Sequence, residues 1–519
     1  MIPSYERLAA LVEEQASRLR EQAVQLVEQA ALIEALRVEV TALRRQVGRD
    51  SSNSSGPPSQ DGPGAKAKVK ADKRSRAMGD GAGGQGGPRS RGGQKGHRGS
   101  GLARVSTPDR TERVEPHACG DCGAGLAGAP GTVASSVQVF DLPTFSLTVT
   151  EYLMMRRVCG CGHATTAAPP PGVRGGPTCY GPNVVGAATV LASCDVIGLE
   201  RTADLLSALL GVEVSTGFVS SCLARLDAAL TGAGFEEALK AAPRAADVLG
   251  TDETPAPLTD VATAGDDCRN PHVYTVRTMR TYTGGGPDLV WYGAAGNRTK
   301  ASISAFGILD GYRGALVRDD FGGYLGYDTA LTAVQQCVAH LLRYLDDAHA
   351  IDPGAQMWAR QVADTLREAV HQVNTARTTG ASGLDADQLT KLRHSYDQGV
   401  AVGISVNLSR PWPKGNHPGL VLARRLRRKA HQVWIFTQRF DIPATNNGSE
   451  TAIRGFKLAA KVKGCWRTLT TLQRHCRILS YLTSARNHGR RPIDAIRDAF
   501  TGTPWMPPRL TTTATALAA

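Results

Sequence analysis

The sequence predicts a multidomain α+β protein. Three observations point there: an unbroken heptad repeat at the N-terminus, two cysteine pairs spaced like a metal-binding module, and a later alternation of short β-branched runs with helices. A chain of 519 residues suits several structural units, and 41% hydrophobic residues supply their cores. Lys plus Arg number 60 against 47 Asp plus Glu, a net charge of +13 that favours a polyanionic partner, nucleic acid before membrane. Eleven thinly spread cysteines argue against a secreted disulfide framework and for a reducing cytosol with one metal site. No N-terminal stretch has the pattern of a signal peptide. The most apolar window, residues 184–199, contains Asp195 and is short for a membrane span.

Residues 1–48 read as one helix. Val12, Leu19, Leu26, Ile33, Val40 and Val47 recur every seven residues. The partner seam of Leu8, Gln15, Gln22, Gln29, Leu36 and Leu43 is polar in its middle. The spacing predicts a self-associating coiled coil whose Gln positions select register or strand number. The plain alternative is an amphipathic helix packed on its own chain.

Residues 49–110 have no hydrophobic period and read as a disordered basic linker. Between positions 65 and 100 there are ten Lys or Arg, Lys73, Arg74 and Arg76 among them, against two Asp. Such an arm would neutralise phosphates with salt-sensitive, sequence-independent affinity. The alternative is a solvated linker.

Residues 111–170 read as a small zinc-binding module. Cys119 and Cys122 form one knuckle; Cys159 and Cys161 form a second, with 36 residues between them. Paired thiolates on tight turns suit a tetrahedral structural Zn²⁺. The second knuckle is one residue short, so His163 or His117 is an alternative ligand. The run between the pairs, 137–158, reads as strand-like. Residues 171–240 read as helical, with helix, turn and helix over 201–230. A second helix in that arrangement can enter a major groove, although many helix pairs do nothing of the kind.

Residues 241–349 alternate strands and helices. Strand-like runs cover 248–251, 272–279, 289–293 and 315–318; helices are expected over 299–309 and 337–347. The first run ends in Asp252 and Glu253, the last in Asp319 and Asp320. Carboxylates on neighbouring strand ends suit oxygen-ligated Mg²⁺ or Mn²⁺, and two such ions can clamp an in-line phosphoryl transfer. Successive strand residues face opposite sides, so only one acid of each pair can face the site, and spacing does not say which. Residues 350–440 read as a helical insertion, 441–500 as completion of the core and 501–519 as a flexible tail. Asn446 or Ser449 is expected to cap a helix carrying Glu450. At 100° per residue, Arg454 and Lys457 share its face, as metal-binding and phosphate-gripping groups would; a salt-bridged surface helix has the same spacing.

These residues, in this order, resemble the transposases of the insertion-sequence family numbered sixty-six, a branch of the Asp-Asp-Glu transposases. The resemblance runs through the coiled coil, the 53–59 linker, the Gly-rich 92–99 segment and the Cys knuckles. It continues through Asp252-Glu-Thr, Asp319-Asp-Phe-Gly-Gly-Tyr324, Cys337-Val-Ala-His340, Asn446-Asn-Gly-Ser-Glu450, Gly464-Cys-Trp-Arg-Thr468 and the closing 479–489 segment. Val338, Thr445 and Thr451 depart from the family's usual Trp, Asp and Arg.

The resemblance implies that Asp252, Asp319 and Glu450 are the catalytic acids, holding two Mg²⁺ (or Mn²⁺). It implies an RNase H-like core split by the insertion between Asp319 and Glu450. Implied partners are the element's terminal inverted repeats, target DNA, a second copy through the coiled coil, and accessory proteins encoded beside the gene. The implied setting is a bacterial cytoplasm, at the nucleoid. Two rivals stand beside this reading: a DNA-binding protein without catalysis, and an RNase H-like nuclease.

Overall fold

The computed structural model describes residues 104–140, 146–174, 176–193, 197–259, 268, 270–381 and 383–510, together with six isolated N-terminal positions. Three of those six, Gln15, Gln22 and Gln29, belong to the polar seam and are helical and exposed. The other heptad positions named above, and Lys73, Arg74 and Arg76 of the basic arm, lie outside the described residues. The chain divides into two compact units, residues 1–49 with 150–519, and residues 50–149. Each is described by itself.

In the smaller unit the first knuckle is closed by backbone bonds. The Gly123 amide donates to Cys119 O at 3.0 Å and the Cys119 amide to Ala124 O at 2.8 Å. Gly123 takes the positive φ that this turn requires. Val133, Val137 and Val139 are exposed. The expectation of a strand along 137–158 is corrected: among the described residues only its end is one. In the larger unit β1 (Arg156–Val158) pairs antiparallel with β2 (Ala164–Thr166) around the second knuckle. The rest of the run finds no described edge to pair with and no face to bury, and alternation alone does not make a strand.

Helices α1 (Pro182–Ser193), α2 (Leu199–Leu210) and α3 (Thr216–Gly232) follow. Gly211 ends α2 in the left-handed conformation, and the Ser215 hydroxyl accepts the Phe218 amide at 3.1 Å to start α3. The helix, turn and helix read from the sequence are therefore observed. Helix α4 (Phe235–Arg244) leads into a five-stranded sheet.

The strands are β3 (Val248–Pro255), β4 (His272–Thr278), β5 (Val290–Ala295), β6 (Ala315–Arg318) and β7 (Ala333–Gln336), in the order β5-β4-β3-β6-β7. The first three are antiparallel, while β3–β6 and β6–β7 are parallel. The helix expected over 299–309 is shorter, Lys300–Ala305, started by the Thr299 hydroxyl. Then come α5 (Val338–Ile351), α6 (Met357–Thr378), α7 (Ala386–Asn407), α8 (Pro418–Arg428), α9 (Asn447–Lys463), α10 (Leu469–Asn487) and α11 (Pro492–Phe500).

One face of the sheet packs Leu249, Leu316, Tyr274 and Trp291 against Leu226, Leu230, Phe235 and Tyr481. The other carries Val248, Ala315 and Val317 with Met279 and Ile442. Both edges are covered. The Val290 and Tyr292 amides of edge strand β5 donate to Ser484 Oγ (3.0 Å) and Ser480 Oγ (2.8 Å) of α10. Strand β7, which the sequence reading did not contain, is buried and carries Gln335 and Gln336. The Phe436 amide donates to Gln335 Oε1 at 2.9 Å, and Gln335 Nε2 donates to Val433 O at 3.0 Å. The helical segment α6–α8 has a core of its own, with Trp358, Leu366, Tyr396, Leu426 and Trp434 fully buried.

Candidate functional site

Strands β3 and β6 run side by side in the same direction, so their C-terminal ends meet. Gly250 pairs with Val317, and Asp252 and Asp319 each stand two residues beyond that rung. The pleat gives them the face shared with Val248, Ala315 and Val317. Helix α9 begins over the same face. A Cβ at Gly250 would come within 2.7 Å of both Asn446 Oδ1 and Ser449 Oγ, so glycine is what lets the helix lie this close. The capping expectation needs correction. Asn446 occupies the N-cap position but makes no side-chain cap; its amide group donates to the Thr251 carbonyl instead. Ser449 is buried within the helix. The Asn446 backbone amide meets Cys337 Sγ at 3.2 Å. These two bonds pin the helix start, and Glu450 follows one turn later.

The acids converge. Burial pushes the Asp252 carboxyl up to about 7, aided by the charges of Glu253 and Glu450 and opposed by Lys457. Glu253, on the opposite side of β3, is raised by burial and by Asp319. It is neutralised by Arg298, whose Nε lies 3.0 Å away, and accepts the Tyr324 hydroxyl at 2.8 Å. Arg298 also reaches Asp319 at 4.0 Å. Asp319 accepts the Phe321 amide at 2.9 Å, which turns the chain away from β6. Asp320 is held elsewhere, by Lys429 and by Arg425 at 3.5 Å.

Glu450 meets α5. Its Oε1 lies 3.1 Å from Arg343 Nη2 and 3.4 Å from His340 Nδ1. Burial, and then Arg343, depress the His340 pKa, while Glu450 and Asp319 oppose that shift. His340 therefore feels the charge of both Glu450 and Asp319. Cys337, His340 and Glu450 each offer a ligand atom within 4.8 Å of the others, the one such group of three among the described residues.

The arrangement fits a hard divalent cation. Asp252 is a buried carboxylate crowded by other carboxylates, with Lys457 the cation that offsets them, and a bound cation would relieve the repulsion. Asp252, Asp319 and Glu450 offer oxygen donors, as Mg²⁺ and Mn²⁺ prefer. The sulfur and nitrogen of Cys337 and His340 make the Glu450 side softer. The cysteine knuckles are preformed pair by pair: backbone amides lower the Cys119 pKa from Cys122 and Asp121, and the Cys159 pKa chiefly from Cys161.

Of the residues named from the sequence, Asp252, Asp319, Glu450 and Lys457 lie in one electrostatic neighbourhood. Arg454 is exposed on the same helix. The sequence reading missed the Arg298–Glu253–Tyr324 brace and the contacts of His340 and Arg343 with Glu450. Arg298 stands in a loop 45 positions from Glu253 with no local pattern to mark it. His340 lies in a quoted motif to which no role had been given.

A family model described as "Transposase IS66 family" matches residues 177–474. No curated protein matches the chain.

Proposed function

The chain belongs to the IS66 transposase family, and from that premise we propose that it cuts DNA at the ends of an insertion sequence and joins them to target DNA. The observation that carries this reading is the convergence of Asp252 and Glu450, with Asp319 on the adjacent parallel strand. The strand order, three antiparallel strands followed by two parallel ones, supports an RNase H-like core.

Asp252, Asp319 and Glu450 would hold two divalent cations, Mg²⁺ or Mn²⁺, which when bound supply charge stabilisation to both oxygens of an in-line displacement. In the first step a water oxygen forms a bond to phosphorus as the bond to the 3′-oxygen breaks, leaving a 3′-hydroxyl and a 5′-phosphate. In the second, that 3′-hydroxyl attacks a target phosphate and a target 3′-hydroxyl departs. Lys457 and the half-exposed Arg343 stand beside the acids, where they would bind nonbridging phosphate oxygens. Arg298 neutralises Glu253 and the Tyr324 hydroxyl donates a hydrogen bond to it, so that this fourth carboxylate adds less repulsion. Arg454 would contact DNA farther along α9.

The remaining expectations join this proposal. The N-terminal heptads would pair protomers, and accessory proteins encoded beside the gene would assist. Cys119, Cys122, Cys159 and Cys161 would hold a structural Zn²⁺. Lys73, Arg74 and Arg76 would add non-specific affinity, and α3 would read the terminal repeats. The test uses labelled duplexes carrying the element's ends, with Mg²⁺ or Mn²⁺. Nicking at the boundary and strand-joined product are expected, and both should vanish in Asp252→Asn, Asp319→Asn and Glu450→Gln. Equal binding by all four proteins with no cleavage, even with the neighbouring gene products added, would favour a DNA-binding protein without catalysis. Cleavage without joining would favour a nuclease.

A further inference from the structure

Helix α8 carries the densest run of cations among the described helices: Arg424, Arg425, Arg427 and Arg428, then Lys429, with no acid between Pro418 and Lys429. The helix divides them into two sets. Leu422, Ala423 and Leu426 face the core of the helical segment. Arg425 and Lys429 turn toward the sheet and hold Asp320, the residue next to Asp319. Arg425 also lies over the Tyr344 ring, 4.6 Å from its centroid. Arg424, Arg427 and Arg428 are exposed and form no ion pair with a described residue. At about 100° per residue these three fall within an arc of about 100°.

Three unpaired arginines on one face repel one another and gain little from water alone. A polyanion with regularly spaced charges removes that repulsion, and planar guanidinium groups match phosphate oxygens two at a time. The Asp320 clamp fixes where this face stands: its own helix is tied to the residue that follows Asp319, just beyond β6.

We propose that Arg424, Arg427 and Arg428 form a phosphate-binding face for the DNA strand that runs past the carboxylate cluster. The proposal rests on the transposase reading for its partner and not on Asp252, Asp319 or Glu450 being competent.

The test measures binding of the full-length protein to a labelled duplex across a salt series, for wild type and the triple variant Arg424→Ala, Arg427→Ala, Arg428→Ala. Each phosphate contact contributes about 0.9 to the slope of log K against log salt. The triple variant is expected to lose roughly 2.7 units of slope and at least about tenfold in affinity at low salt. Its thermal melting should match wild type, because all three side chains are exposed. Arg360→Ala, which removes an exposed cation paired with Asp364 on α6, should keep the wild-type slope. A triple variant with wild-type melting, slope and affinity would overturn the proposal. So would an affinity loss accompanied by a collapsed melting curve, if the milder Arg424→Gln, Arg428→Gln pair melts normally and binds like wild type.

Discussion

Asp252 is the residue whose chemistry its neighbours change most legibly. Its pKa rises from 3.8 to about 7 in the fold, first through burial and then through Glu253 and Glu450. A carboxyl with a raised folded pKa stabilises the fold fully below its unfolded value. That stabilisation is lost as pH rises through the folded value. Metal-free protein should therefore lose stability between about pH 4 and pH 7. Asp252→Asn removes the loss and should be more stable than wild type at pH 8, by roughly 4 kcal/mol, with no difference near pH 4. Urea titrations in a chelator check this, and an Asn variant less stable at pH 8 would refute it. His475 behaves oppositely. Complete burial beside Phe456 and Trp466 holds its pKa down at about 3. As pH falls below about 6.5 the unfolded chain takes a proton that the folded chain refuses, and stability falls. His475→Phe should flatten the stability profile between pH 7 and pH 5, by about 2 kcal/mol over that range.

At the scale of elements, α9 is placed by a glycine and an amide rather than by a capping side chain. Gly250→Ala should push Asn446 and Ser449 off β3. The expected cost is roughly 1–3 kcal/mol, the usual range for overpacking. DNA cleavage should fall further than stability predicts, because Glu450 moves with the helix start. Comparing denaturation midpoints with single-turnover cleavage separates the two effects. The helix itself was legible: Glu450, Arg454 and Lys457 read as one face, and Gly464 ends the helix in the left-handed conformation. Strand β7 was not legible. Its Gln335 and Gln336 read as polar, and they are buried only because Val433, Phe436 and Gln432 satisfy them from about a hundred positions away.

For the whole molecule, those same glutamines join the helical segment to the sheet. Gln335→Leu leaves the Phe436 amide and the Val433 carbonyl without their side-chain partner. Unsatisfied buried groups of this kind cost about 1–3 kcal/mol each. The variant should melt well below wild type, and Asp320→Asn, which loosens Arg425 and Lys429 at the same junction, should add to the loss less than independently. A double-mutant cycle on melting free energies measures that coupling. No helix among the described residues is long and apolar enough to cross a membrane.

The sequence by itself determined the helices with strong period and clear ends, the strands that finish in acids, and the family's motifs, because these are local patterns of hydrophobicity, turn residues and order along the chain. Strand spacing left Asp252 and Glu253 equivalent, as it left Asp319 and Asp320, and only the resemblance to the family's motifs chose Asp252 and Asp319. Tertiary structure gives the members of each pair different surroundings. The pleat turns Asp252 toward Glu450 and Lys457, while Glu253 is neutralised by Arg298, with a hydrogen bond from Tyr324, and Asp320 by Arg425 and Lys429. Which carboxylate keeps an unneutralised charge depends on partners 45 to 109 positions away, and no local spacing carries that information.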